Sequence, residues 1–200
     1  WKKFNIQLQT FFKKGLKLIN FKKSFTGNID GKDLLNLWYD TFKKVSNIFR
    51  QEQPKKRVKW VGPDMSVISS ISARHMETWA HRQEVFDSLG YDRKEKDRIK
   101  NIVHMGVIAY GWTFVNRKLE IPEPTPYVVL DAPSGQVWEW NDKESSSKIE
   151  GSAVEFAQVV TQVRNFADTN LSITGKPADE WMKYAQCFAG PPEDPPAKGT

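Results

Sequence analysis

Residues 73–81 read Ala-Arg-His-Met-Glu-Thr-Trp-Ala-His. No proline occurs within residues 64–89, which predicts one long helix that Gly90 ends. In that helix Glu77 and His81 are four residues apart, so their side chains lie on one face, one turn from each other. A carboxylate and an imidazole in this arrangement are able to share a metal ion, as the two His of a helical H-E-x-x-H do.

The spacing alone leaves two interpretations open. The chain has 3 His and 12 Glu in 200 residues, so chance places a Glu four residues before some His in about one such sequence in five. The plainer interpretation is a polar pair on a solvated helix face. Polar residues form a row along the predicted helix, which is either its wet side or a seam that lines a site: Ser66, Ser70, Arg74, Glu77, His81, Glu84 and Ser88.

Amphipathic patterns predict further helices on both sides of this stretch. Apolar residues recur at helical spacing in residues 2–20 and again in 31–51, where Asp30 is a candidate N-cap. A third pattern covers residues 92–115 and opens with Asp92-Arg93-Lys94-Glu95, which has the form of a capping box.

A proline-rich linker with Pro122, Pro124 and Pro126 ends the helical pattern. The segments that follow it are strand-like runs at 127–130 and 137–140, a helix at 152–163, a short strand at 171–174 and a helix near 178–188. We therefore predict an α+β fold with a helical part, residues 1–118, a small α/β domain, residues 119–192, and a loose tail, residues 193–200.

Composition limits the classes of protein to consider. No apolar run approaches the roughly 20 residues of a membrane span, and no secretory signal is evident. The single cysteine, Cys187, excludes an internal disulfide framework and fits a reducing compartment. We therefore expect a cytoplasmic protein without a membrane partner.

Basic residues concentrate near the start of the chain. Residues 1–60 contain 15 Lys/Arg and 4 Asp/Glu, whereas residues 61–200 contain 15 and 20. A basic segment attracts nucleic acid, but we favour lysines on exposed helix faces as the explanation, because no arginine-rich cluster or nucleic-acid-binding motif is present. We expect a small-molecule substrate rather than nucleic acid, and a homodimer stays an open alternative.

Several longer motifs surround the Glu77–His81 pair. They are Trp60-Val61-Gly62-Pro63-Asp64-Met65-Ser66, residues 73–81, Asp97-Arg98-Ile99 with His104-Met105-Gly106-Val107, Ile149-Glu150-Gly151-Ser152-Ala153 with Val160-Thr161-Gln162, and Ala185-Gln186-Cys187-Phe188-Ala189-Gly190-Pro191-Pro192. Over residues 58–192 the chain resembles a bacterial metal-binding family related to mycothiol-dependent maleylpyruvate isomerase. That family belongs to the DinB-like helical bundles and carries a wyosine-base-formation-like C-terminal region. The resemblance is weaker over residues 25–50.

The resemblance implies a DinB-like four-helix bundle, with its first helix partly or wholly missing here, followed by a small α/β domain. It also implies a divalent metal, usually zinc, held by a His from an early helix and by Glu77 and His81. Residues 1–74 contain no His and no Cys, so we expect the third ligand upstream of Trp1.

Two further residues are candidates for the surroundings of the metal. Glu84 follows His81 by three residues, so its carboxylate is placed to orient the imidazole. His104 matches a family position on the next helix, where it either lines the same site or caps a packed helix end.

The resemblance implies a metal-dependent isomerase or transferase that uses a low-molecular-weight thiol on a small molecule. The 22 Lys against 8 Arg favour a thiol other than mycothiol, such as glutathione. The alternative is a non-catalytic binding module or a tRNA-associated protein of the wyosine-base-formation-like type. We expect Cys187 to be a small buried residue, because no cationic neighbour is evident that would activate its thiol.

Overall fold

The computed structural model describes residues 27, 29–59 and 64–199. The chain divides into two compact units, residues 1–68 and residues 69–200. The helix predicted for residues 2–20 and the Trp-Val-Gly-Pro motif at 60–63 lie outside the described residues.

In the part of the first unit that the structure describes, one long helix is present, α1 (Gly31–Gln51). As predicted, Asp30 caps it, since its carboxylate accepts a hydrogen bond from the Asp33 backbone N–H at 2.8 Å. None of the residues of α1 is buried. After α1, strand β1 (Arg57–Val58) pairs antiparallel with β2 (Met65–Ser66).

Helix α2 (Val67–Leu89) carries the Glu77–His81 pair, as the sequence predicts. It ends at Gly90, whose φ of 67° lies in the left-handed region that glycine adopts at low cost. The backbone N–H of Tyr91 then donates to the Phe86 carbonyl at 3.1 Å, which closes the helix end.

The helix predicted for residues 92–115 starts later and has two parts. A 3₁₀ turn (Asp97–Ile99) leads into α3 (Lys100–Ile108), and α4 (Tyr110–Asn116) follows after one residue.

The capping box predicted at residues 92–95 does not form: no helix starts at Asp92, and the Glu95 carboxylate has other partners. Arg93 Nε contacts Glu95 Oε1 at 2.6 Å, and both side chains are buried, with 6% and 5% exposure. Trp79 Nε1 donates to the same Glu95 oxygen at 3.0 Å, and the guanidinium lies 4.9 Å from the Trp79 ring centroid. The pair therefore fastens the segment before α3 to α2.

Four strands form a mixed sheet in the order β4-β3-β5-β6. Their bounds are β3 (Tyr127–Asp131), β4 (Val137–Trp140), β5 (Lys148–Ser152) and β6 (Ser172–Thr174). β3 pairs antiparallel with β4 and parallel with β5, while β5 pairs antiparallel with β6. Two helices complete the unit, α5 (Ala153–Val160) after β5 and α6 (Lys176–Tyr184) after β6.

The helices and the sheet of the second unit share one hydrophobic core. Helix α3 packs against α5 at Gly106, where an added Cβ would lie 2.7 Å from Val160 Cγ2. Trp181 of α6 is fully buried and packs edge-on against Tyr110 and Phe156, with ring centroids 4.9 and 5.6 Å apart. The α+β class is confirmed, and the predicted boundaries at residues 118/119 and 192/193 stay predictions.

The residues after 192 make specific hydrogen bonds. Asn165 Nδ2 donates to the Pro196 carbonyl at 2.8 Å, and the Gly199 N–H donates to Asp168 Oδ2 at 2.8 Å. None of the helices in the described part of the chain has the length and apolarity that crossing a membrane requires.

Candidate functional site

The imidazole of His81 lies between two carboxylates of its own helix. Its Nδ1 is 3.0 Å from Glu84 Oε2, and its Nε2 is 3.7 Å from Glu77 Oε2. An ionised carboxylate only accepts hydrogen bonds, so Nδ1 donates to Glu84 and the neutral ring keeps a lone pair on Nε2. The carboxylate that orients the ring and the carboxylate beside the free nitrogen are thus on opposite sides of the imidazole.

Because Glu77 and Glu84 face different ring nitrogens, Glu77, His81 and Glu84 do not form a complete three-ligand metal site by themselves. The two ring nitrogens point in different directions, so Glu84 does not face an ion held between Glu77 and Nε2. Consistent with this, no group of three or more His, Cys, Asp or Glu within the described residues is arranged to hold a metal ion. The pair supplies one nitrogen and one oxygen, donor types that zinc accepts, and a complete centre needs a further ligand.

A cavity of about 360 Å³ opens beside the pair. One wall is the face of α2 with Glu77, His81 and Glu84, and a second wall is the turn after α5. The residues that line it are Met76, Glu77, Ala80, His81, Glu84, Thr161, Gln162, Val163, Phe188, Glu193, Asp194 and Pro196. The His81 side chain is 72% exposed, so the pair stands at the open side of the cavity.

Residues 186–196, the C-terminal wall, form the third side of the cavity. The Gln186 side chain, 1% exposed, donates to the Pro191 carbonyl at 3.0 Å and accepts from the Glu193 backbone N–H at 3.0 Å. Gln162 Nε2 donates to the Glu193 carbonyl at 2.8 Å, and Arg117 Nη1 contacts Asp194 Oδ1 at 2.9 Å. These bonds fix the course of the wall beside α2.

Cys187 belongs to this wall but does not offer a reactive thiol. It is buried, and its backbone N–H donates to the Val160 carbonyl at 2.9 Å. Burial, together with the nearby charge of Glu77, raises the pKa of the Cys187 thiol to about 12. The prediction of a small buried cysteine is confirmed.

The other two histidines stand apart from this cavity. Trp140 Nε1 donates to His104 Nδ1 at 3.3 Å, and His104 is not among the residues that line the cavity. His75 is half-buried, and burial followed by the charges of Arg98 and Arg93 lowers the pKa of its imidazole. The structure thus brings Glu84 to His81 and leaves His104 with Trp140.

Sequence reasoning missed the polar residues of the other two walls, Gln162, Gln186, Glu193 and Asp194. The signal was present for two of them, because Val160-Thr161-Gln162 and Ala185-Gln186 both belong to motifs of the resemblance. Nothing in residue type or spacing showed that these segments, which lie more than 70 residues beyond the end of α2, return to it.

Comparison with known proteins finds a family model that is similar to part of this chain. Residues 28–86 match the family model described as the mycothiol maleylpyruvate isomerase N-terminal domain. The matched segment contains Glu77, His81 and Glu84, and the family is the one to which the sequence motifs pointed.

Two relatives match a longer part of the chain. They are uncharacterized proteins of Mycobacterium tuberculosis, from strains CDC 1551 / Oshkosh and ATCC 25618 / H37Rv, each 35% identical over 160 residues. The match covers 80% of this chain and 62% of each relative, so the chain spans less than two thirds of their length. No solved structure matches the chain significantly.

Proposed function

We propose that this protein binds a divalent metal, zinc in the first instance, through His81 and Glu77, and uses a low-molecular-weight thiol to isomerise or transfer a group on a small molecule. The observation that carries the proposal is the placement of one carboxylate at each ring nitrogen of His81. The match of residues 28–86 to the mycothiol maleylpyruvate isomerase N-terminal domain supports the same chemistry.

The geometry of the pair suits a shared ion. Two ligands of a tetrahedral zinc, each about 2.0–2.1 Å from it, lie about 3.4 Å from one another. Glu77 Oε2 and His81 Nε2 are 3.7 Å apart, so a small side-chain adjustment brings both into range. The Glu84 carboxylate holds the proton on Nδ1 and thereby keeps the lone pair on Nε2.

A divalent metal lowers the pKa of a thiol that coordinates it, which makes a thiolate available near neutral pH. The protein's own residues supply the surroundings. Met76, Val163 and Phe188 give the cavity apolar surface, and its volume of about 360 Å³ suits a small molecule. A third ligand from outside the described residues would complete the centre.

Cobalt titration followed by visible absorption tests the metal site directly. We expect the chain to bind Co²⁺, His81→Gln to abolish binding, and Glu84→Gln to weaken it about 10- to 100-fold through loss of the orienting acceptor. Glu120→Gln serves as the matched control, because Glu120 is exposed and does not line the cavity. Unchanged cobalt affinity in His81→Gln would refute the assignment.

A further inference from the structure

The ionisable residues of the cavity carry an excess of negative charge. Apart from His81 they are four carboxylates: Glu77, Glu84, Glu193 and Asp194. Among the described residues that line the cavity, none is Lys or Arg. A carboxylate ligand is normally recognised by guanidinium or ammonium groups, and these walls offer none.

Three arginines that adjoin cavity-lining residues already have partners, and a fourth, Arg74, is exposed three residues before Glu77 and does not line the cavity. Arg117 is bonded to Asp194 Oδ1 and to the Glu193 carbonyl, and its side chain is largely buried. The Arg82 guanidinium lies 5.1 Å from the centroid of the Phe86 ring, and Arg164 Nη2 contacts Asp87 Oδ2 at 3.1 Å. Even with a divalent ion on the Glu77–His81 pair and Arg117 counted, the four carboxylates leave the cavity negative.

Glu193 differs from the other three carboxylates. Glu77 and Glu84 face His81, and Asp194 is paired with Arg117. The Glu193 carboxylate makes no ion pair or hydrogen bond with any residue in the described part of the chain, although its backbone is held on both sides by Gln186 and Gln162. The backbone of an exposed acidic residue is thus held at the cavity wall, and its carboxylate has no partner among the described residues.

We infer that the cavity takes a small molecule bearing a cationic group, such as a protonated amine, rather than a dicarboxylate, and that Glu193 is the residue that selects it. The inference rests on the proposed function only in placing the substrate in this cavity. Glu193 acts here as a specificity determinant, since the hydrogen bonds of the C-terminal wall hold its backbone beside the cavity.

Three probes of matched size and different charge test the selection: benzylammonium, benzyl alcohol and benzoate. Their dissociation constants are measured by ligand-observed NMR titration of the chelator-treated protein at low ionic strength, where screening is weakest. We expect benzylammonium to bind at least about tenfold more tightly than benzoate, because several carboxylates face one probe charge in a partly enclosed site. Added salt should reduce the ratio of the benzylammonium affinity to the benzoate affinity, because it screens the carboxylates.

Glu193→Gln should reduce the ratio of the benzylammonium affinity to the benzoate affinity at least about threefold. Glu120→Gln, which removes the same charge outside the cavity, should leave this ratio unchanged. Equal affinity for the two charged probes, absence of saturable benzylammonium binding below about 10 mM, or an unchanged ratio in Glu193→Gln would each overturn the inference. The cobalt titration is recorded separately and without probes. Loss of charge selection with intact cobalt binding therefore defeats only this inference, and the reverse result defeats only the metal site.

Discussion

At the scale of single residues, the two ring nitrogens of His81 have different carboxylate neighbours, and the proposed metal site depends on this difference. Glu77 and Glu84 are both within one turn of His81, yet one faces the free ring nitrogen and the other the protonated one. The sequence predicted both neighbours, because spacings of three and four residues on a helix determine them. It did not predict Glu193, because the approach of the C-terminal wall depends on tertiary packing.

Cys187 offers a test of how deeply the C-terminal wall is packed. Its thiol has a pKa of about 12 instead of 9.0, so at pH 8 the folded protein holds about a thousandfold less thiolate than the unfolded chain. We expect Ellman's reagent to modify Cys187 slowly in buffer and rapidly in urea. Fast modification of the folded protein would show that the thiol is accessible.

The same pKa gives a dependence of stability on pH. Above about pH 9 the thiol ionises in the unfolded chain but stays protonated in the fold, so its contribution to the free energy of unfolding decreases as pH rises towards 12. Wild type should therefore lose stability relative to Cys187→Ala between pH 9 and 11 in urea unfolding. Parallel stability curves for the two proteins would contradict this.

At the scale of elements, local sequence patterns predicted helix ends correctly where neighbouring residues determine them. They failed where residues distant in the sequence determine the structure. The N-cap of α1 and the end of α2 followed from Asp30 and Gly90. The prediction of a capping box before α3 was wrong, because the Glu95 carboxylate binds Trp79 and Arg93 instead. Strand β5 has Ile149 as its one large apolar residue and exists because β3 and β6 pair with its two edges.

The C-terminal wall has no helix or strand, and its stability rests on Gln186. Gln186→Met keeps the length of the side chain but leaves the Glu193 N–H and the Pro191 carbonyl without their partner. We expect the free energy of unfolding to fall by about 1–3 kcal/mol in urea titration. The control is Gln136→Met, an exposed glutamine, for which we expect a change within about 0.5 kcal/mol. Equal effects at both positions would show that Gln186 does not hold the wall.

At the scale of the whole molecule, burial is unevenly distributed between the two units. The second unit holds the hydrophobic core, while the described helix of the first unit has no buried residue, with Leu35 at 60% and Trp38 at 54% exposure. Hydrogen exchange reports local opening. We expect amides of α1 to exchange at least about 100-fold faster than those of α5 and β5. Similar protection in α1 would mean that another surface covers its apolar side chains.

The placement of the Glu77–His81–Glu84 group on a single helix determines which changes of chain length it tolerates. Each residue of a helix advances it by about 100°, so one residue inserted or deleted between positions 77 and 84 would turn part of the group away from the imidazole. Insertions in the loops between elements, in contrast, leave the spacing of the group untouched. The geometry of the group therefore depends only on the helical register of residues 77–84, and a change in the length of the surrounding loops leaves it intact.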